Sequence, residues 1–282
     1  MYTLILENKY GDKLELTHNP NYTISMIDGL DPPDATINTT HNAGFDGSTF
    51  NSAYVNNRTI TITLAVNQPA EENRIALYRY SMPKASVRVY YRNGTRDVYI
   101  DGYVQTMPIG YFDRKQVVQI VILCPQPLYT GTYAETQEMT SVDALMEFEV
   151  ETPAVGIEFS EIILNQEKSI TNNGDIETGA VITIRATGAA ETPKIYNTGT
   201  GEYIILNVTM AAGDVIVINT RKGEKKIVLT HSGTDTNIVG LLEQGSTWFS
   251  LLPGDNVFIY TADTNPENLY LTFDVLNQYQ GV

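Results

Sequence analysis

Arg58-Thr59-Ile60-Thr61-Ile62-Thr63-Leu64-Ala65-Val66 is the stretch that decides the fold. Ile60, Ile62, Leu64 and Val66 alternate with polar or small residues, so the apolar side chains share one face. A period of two is that of a half-buried β-strand, and β-branched residues favour the pleated backbone. Downstream, Ser86–Arg92 alternates again, with Val87, Val89 and Tyr91 on one face and Arg88, Tyr90 and Arg92 on the other. Asn93-Gly94 follows and predicts a tight hairpin turn, because both residues tolerate positive φ. The return strand is expected over Thr95–Thr106. Lys115–Cys124 is apolar on both faces and predicts a central strand. Between these strands, Asn67-Gln68-Pro69-Ala70-Glu71-Glu72 combines a polar cap, an early proline and acids in a first turn. Ile75, Tyr78 and Met82 then recur at helical spacing and Pro83 ends the run, so one helix is expected at about 70–81.

Cys124-Pro125-Gln126-Pro127-Leu128-Tyr129 marks a boundary, since two prolines in three residues hold the chain extended and remove ladder donors. Charge changes there too. Residues 1–130 carry 12 acidic and 11 basic side chains, whereas residues 131–282 carry 21 acidic and seven basic. Tyr133–Glu161 has eight acids and no base, which reads as a solvated linker or exposed face. Beyond it, Val181–Ala186, Glu202–Val208, Val215–Thr220, Lys226–Thr230, Val257–Tyr260 and Tyr270–Val275 read as short strands between Gly, Asn and Asp clusters. Their spacing predicts an antiparallel sandwich, with Asn197–Gly201 as a hairpin loop. The expected division is a first domain over 1–130, an acidic linker over 131–145 and a second domain over 146–282.

Composition narrows the function. The chain has 282 residues, 42% hydrophobic, with a net charge of −15. Such acidity opposes nucleic acid or an anionic membrane as the main partner. A single cysteine, Cys124, excludes a disulfide within the chain and any multi-cysteine metal site. The start, MYTLILENKYGDK, lacks the basic region of a secretory signal, and the longest apolar runs are too short to span a bilayer. A soluble protein made in a reducing cytosol is expected.

Catalytic motifs are largely missing. Neither a G-x-S-x-G elbow, nor a phosphate-binding G-x-x-x-x-G-K-[ST] loop, nor an H-E-x-x-H helix occurs. His18, His41 and His231 are far apart in sequence. Cys124 ends an apolar strand and reads as a buried structural thiol. Glu147, Glu149, Glu151, Glu158 and Glu161 are candidate paired acids for glycoside cleavage, but the first three alternate as one strand face. Asp263-Thr264-Asn265-Pro266-Glu267 offers oxygen ligands at alternate positions, although the proline favours a turn over a calcium loop. Trp248, the single tryptophan, sits among Ser246, Thr247, Phe249 and Ser250, as a core aromatic or as a stacking platform for a glycan. Arg88, Tyr90, Arg92 and Arg96 mix aromatic and guanidinium groups, a composition enriched at protein interfaces. They are the candidate subunit-interface residues. No catalytic, cofactor-binding or metal-ligating residue is expected.

Taken in order, the residues resemble a known family. Gly11–Leu16, Ile27-Asp28-Gly29-Leu30-Asp31-Pro32-Pro33, Asp46-Gly47, Arg58–Ile62 and Val121–Tyr129 run through the first half. Asn173–Thr178, Asn197–Ile204, Gly213–Ile218 and Ser250–Asn256 run through the second. This order is similar to that of the distal tail proteins of long-tailed bacteriophages infecting Gram-positive bacteria. Gln126 departs from it, standing where family members often carry an acid. The resemblance implies a mainly β fold. Its first part is a tail-tube-like β-sandwich, the belt domain, with one helix and a long hairpin, and its second is a galectin-like β-sandwich. It implies a structural virion protein without enzymatic activity or cofactor, made in the host cytoplasm. Six copies would form a ring joining the tail-tube protein to the tail-tip hub protein. The ring would serve as a platform for receptor-binding or baseplate proteins, touching nucleic acid at most by its passage through the channel. The alternative reading is a carbohydrate-binding adhesion module acting in host-surface recognition, centred on the second domain with Trp248 as its candidate glycan platform.

Overall fold

The computed structural model describes residues 2–111, 115–139, 142–144, 160–162 and 167–282. It divides into two compact units, Met1–Thr132 with Gln278–Val282, and Tyr133–Asn277.

The first unit is built from β1 (Thr3–Asn8), β2 (Lys13–Glu15), β3 (Tyr22–Asp28), β4 (Ala35–Thr40), β5 (Thr49–Val55), β6 (Arg58–Val66), α1 (Ala70–Ser81), β7 (Ser86–Arg92), β8 (Asp97–Thr106), β9 (Gln116–Cys124) and β10 (Tyr129–Gly131). The main sheet runs in the order β2-β1-β7-β8-β9-β6-β3, with neighbours antiparallel. The alternation of β6 is realised, with Ile60, Ile62 and Leu64 fully buried and Thr59 exposed. Leu4, Leu6, Val87, Val89, Val98, Ile100, Val118, Ile120 and Ile122 complete the core with Leu77 of the helix. β9 is central, lying between β8 and β6. Its second face is only partly covered, and Val117 keeps 38% of its surface exposed.

Two local expectations change. The helix spans 70–81 as expected, but Pro69 itself is the N-cap with no side-chain cap bond, Asn73, Leu77 and Ser81 face inward, and Ile75 and Met82 are exposed by 53% and 58%. Short polar residues can line a buried face when each finds a backbone partner. Asn73 Nδ2 donates to the Asn67 carbonyl at 3.0 Å and Ser81 Oγ to the Leu77 carbonyl at 2.8 Å. The Tyr22 hydroxyl donates to the Asn73 carbonyl at 2.8 Å. The β7–β8 turn is also longer than expected, because β8 begins at Asp97, opposite Arg92. Neither Asn93 nor Gly94 has positive φ. The Asn93 side-chain oxygen instead accepts from the backbone N–H of Thr95 and Arg96, at 2.9 and 2.7 Å, an Asx-type turn.

The last residues return to this unit, which the expected division at 146–282 does not anticipate. Strand Gln278–Tyr279 pairs antiparallel with β10, and β10 pairs in turn with β8. Arg58, 3% exposed, holds the junction. Its guanidinium donates to the carbonyls of Pro127 (2.7 Å), Gly29 (2.6 Å), Asp31 (2.5 Å) and Gln280, and lies 4.5 Å from the centre of the Tyr129 ring. Gly29 is required there. Its φ is +86°, and a Cβ would stand 2.1 Å from the Thr59 carbonyl oxygen. Arg96 donates to the Gly281 carbonyl at 2.9 Å, and Val282 N–H to the Leu30 carbonyl at 3.1 Å.

The second unit contains β11 (Glu135–Glu138), β12 (Val142–Ala144), β13 (Ser160–Ile162), β14 (Lys168–Asn172), β15 (Ala180–Ala186), β16 (Ala190–Glu191), β17 (Lys194–Asn197), β18 (Tyr203–Ile205), β19 (Thr209–Met210), β20 (Val215–Asn219), β21 (Lys226–His231), β22 (Thr234–Asn237), β23 (Gly254–Thr261) and β24 (Leu269–Val275). Its larger sheet runs β11-β24-β15-β20-β21-β22, and a four-stranded sheet runs β14-β23-β17-β18. Ile182, Ile184, Ile216, Ile218 and Phe273 of the first share one core with Ile170, Ile195, Ile204 and Phe258 of the second. Phe258 bridges the layers, its ring 5.0 Å from Phe273 and 5.1 Å from Phe249. This is the predicted sandwich of alternating strands. The stretch expected as a linker over 131–145 supplies an edge strand instead, with β11 pairing along β24 from Glu135↔Val275 to Glu138↔Thr272. The run expected as one strand over 202–208 breaks after Ile205, where Leu206 N–H turns to the Pro193 carbonyl at 3.1 Å.

Candidate functional site

The interface candidates lie on the outer face of β1, β7 and β8. Alternation turns Val87 and Val89 inward, so Arg88, Tyr90 and Arg92 point out. The register stacks them in rows: Glu7, Arg88 and Asp101; then Ile5, Tyr90 and Tyr99; then Thr3, Arg92 and Asp97. Arg88 grips Asp101 with two parallel bonds of 2.7 and 2.9 Å, and its guanidinium stands 4.2 Å from the centre of the Tyr99 ring. The Asp101 hydrogen bonds raise the guanidinium's pKa above its ordinary value. Arg92 meets Asp97 at 2.6 Å. Tyr90 donates to Glu7 at 2.7 Å, and Lys13 lies 3.4 Å from the same carboxylate. Arg96 turns away to the Gly281 carbonyl, with Tyr279 beneath it at 4.3 Å. The face is thus a charged–aromatic–charged ladder already neutralised across strands. Sequence reasoning overlooked Asp101 as a partner. Pairing Arg92 with Asp97 across the turn would have revealed it, because Arg88 then falls opposite Asp101.

A second surface was not read from the residues. β4 and β5 form a two-stranded hairpin of their own, paired with no other strand among the described residues. Every residue of β5 is exposed, and Ile37, Phe50 and Tyr54 keep 63%, 63% and 57% of their surface free. Isolated hairpins are marginal in water, so aromatic groups displayed on one call for a covering surface. The signal was available in alternating Thr-Ile-Asn and Phe-Asn-Ser-Ala-Tyr segments around a Gly-rich turn.

The remaining candidates are dispersed. Cys124 is fully buried, and burial pushes its thiol up to about 12, so it is inert at neutral pH. His18 and His41 are exposed, and His231 Nδ1 lies 2.7 Å from the buried Asp214 carboxylate. Asp263 pairs with Lys194, and Pro266–Asn268 is a short 3-10 turn. Glu147, Glu149, Glu151 and Glu158 lie outside the described residues, while Glu161 is placed only through its backbone pairing with Asp143. Trp248 is half-buried against the sandwich core, with the Lys225 ammonium 5.7 Å from its ring centre. Among the described residues, no three His, Cys, Asp or Glu side chains are placed to hold a metal ion, and no helix is long and apolar enough to cross a membrane.

Residues 173–275 match the model of a family described as the siphovirus-type tail component, C-terminal domain. The structure of the Dit protein (gp 19.1) of phage SPP1 aligns with 99% of this chain and 99% of its own, at 13% identity and a TM-score of 0.71. This is the distal tail protein fold. The SPP1 protein is described as a paradigm of the hub adsorption apparatus in phages infecting Gram-positive bacteria. A chain of the phage P2 baseplate in its activated conformation with calcium aligns over 100% of both chains, at 12% identity and a TM-score of 0.53. A chain of the same baseplate with strontium aligns at the same TM-score. No curated protein matches by sequence. The mainly β fold and the likeness to distal tail proteins expected from the residues are therefore borne out, and the relatives are structural parts of phage tails.

Proposed function

We propose that this chain is a structural protein of a phage tail tip. It forms a ring that joins the tail tube to the tail-tip hub and carries receptor-binding or baseplate proteins. The observation that carries the reading is the alignment of both units, in order and over 99% of each chain, with a tail hub protein. A closed ring uses a heterologous interface, in which one patch meets a different patch on the next copy. The first unit offers suitable pairs of surfaces. The apolar hairpin of β4 and β5 is one side of the contact, and the exposed Ile75–Met82 face of α1 or the Arg88–Tyr90–Arg92 ladder is the other. The chain is made in the host cytoplasm and ends in the virion. Negative-stain microscopy and light scattering of the purified protein test this. Rings with a central hole, at six times the 31.3 kDa of one chain, are expected. A protein that stays monomeric at high concentration, alone and with the tube and hub proteins of its tail, overturns it.

A further inference from the structure

The second unit is strongly acidic, yet four of its seven basic residues fall within Arg221–Lys226, the turn between β20 and β21. This turn is firmly held. Thr220, 3% exposed, exchanges backbone and hydroxyl hydrogen bonds with Ala180, and Gly179 approaches so closely that a Cβ would stand 2.6 Å from the Arg221 backbone nitrogen. The acid within it is committed to the turn itself, because Glu224 accepts from Asn219 Nδ2 at 3.1 Å. Arg221 reaches the Asp274 carbonyl. Lys222, Lys225 and Lys226 remain exposed, and among the described residues no carboxylate lies within 4.0 Å of them. Trp248 stands beside Lys225.

The geometry points to a binding patch in which Lys222, Lys225 and Lys226 take the phosphates, and Trp248 the carbon face, of a phosphodiester-linked polyol or sugar polymer. Lysine ammonium groups act as point charges and suit phosphate, whereas bidentate carboxylate recognition favours arginine. Lysine is also depleted at protein–protein interfaces, so an acidic protein is the weaker match. An indole edge at the rim packs against polyol carbons while its surroundings stay wet. The surrounding negative charge repels a polyanion everywhere else on the unit and confines it to this turn. This inference goes beyond the tail-adaptor reading and does not depend on it.

Trp248 is the single tryptophan, so its emission reports on the patch directly. The full-length protein is titrated with short poly(glycerol phosphate). A saturable change is expected, weakening about twentyfold as NaCl rises from about 50 to about 200 mM, the slope of roughly three counterions displaced from a single-stranded polyanion. It is lost in K222E/K225E and weakened in K222Q/K225Q, which removes charge without reversing it. Emission that does not move overturns the proposal, as does unchanged binding by the glutamine variant. An equal response to polyglutamate assigns the turn to an acidic protein. An equal response to oligothymidylate assigns it to nucleic acid, and an equal response to inorganic phosphate reduces it to a simple ion site. Each of these three overturns the proposal.

Discussion

At the scale of single residues, burial makes Cys124 a pH-sensitive point in the first unit. The thiol's ordinary value is 9.0, and burial pushes it up to about 12 against the opposing effect of nearby Arg58. A group whose native value is raised contributes stability in full below its unfolded value and loses it as pH climbs toward the native one. Stability of the first unit should therefore fall between pH 9 and 12, with the buried Tyr129 phenol adding to the same slope. Cys124→Ala is expected to cost about 1 kcal/mol at neutral pH through the small cavity it leaves. It should also flatten the decline, measured by urea midpoints at neutral and at about pH 10.5. Parallel declines for both proteins would show that the thiol does not drive it.

At the scale of elements, alternation in β6 and β7 and the bounds of α1 were legible because each follows a local rule acting on consecutive residues, although the polar cap expected for α1 is not formed and Pro69 stands at its N-cap. What escaped was decided at a distance. The inward face of α1 is set by the acceptors waiting at Asn67 and by the Tyr22 hydroxyl, so Asn73 and Ser81 displace Ile75 and Met82. The Arg88–Asp101 pair depends on a register that the Asx turn fixes. The acidic run at 135–138 is a strand because β24 offers a partner edge, which no feature of the run itself announces. The hairpin of β4 and β5 yields a prediction at this scale. Since Phe50 and Tyr54 are exposed, Phe50→Ser with Tyr54→Ser should leave the urea midpoint of the isolated chain within about 0.5 kcal/mol of the parent. In light scattering the same double variant should shift the assembly toward monomer. Unfolding of the chain by this change would mean that the hairpin supports its own subunit rather than a neighbour.

On the scale of the whole molecule, the second unit is inserted between β10 and its partner strand Gln278–Tyr279, which are adjacent and antiparallel. Joining Thr132 to Gln278 through a few glycines, without residues 133–277, should therefore give a folded first unit with its own cooperative urea transition. Ending the chain at Asn277 should instead lower that transition by about 2–4 kcal/mol. The buried Arg58 guanidinium would lose the Gln280 carbonyl and β10 its ladder partner. If the shortened chain unfolds where the intact one does, the returning strand is dispensable.

That returning strand also bears on the order of events during translation. Residues 278–282 leave the ribosome after all of 133–277, so the unit that begins first is the one that closes last. A chain broken off anywhere within the second unit carries an open β10 edge and an Arg58 short of acceptors. Such prematurely terminated products would be sorted away from assembly by their own incompleteness, with no separate proofreading factor needed.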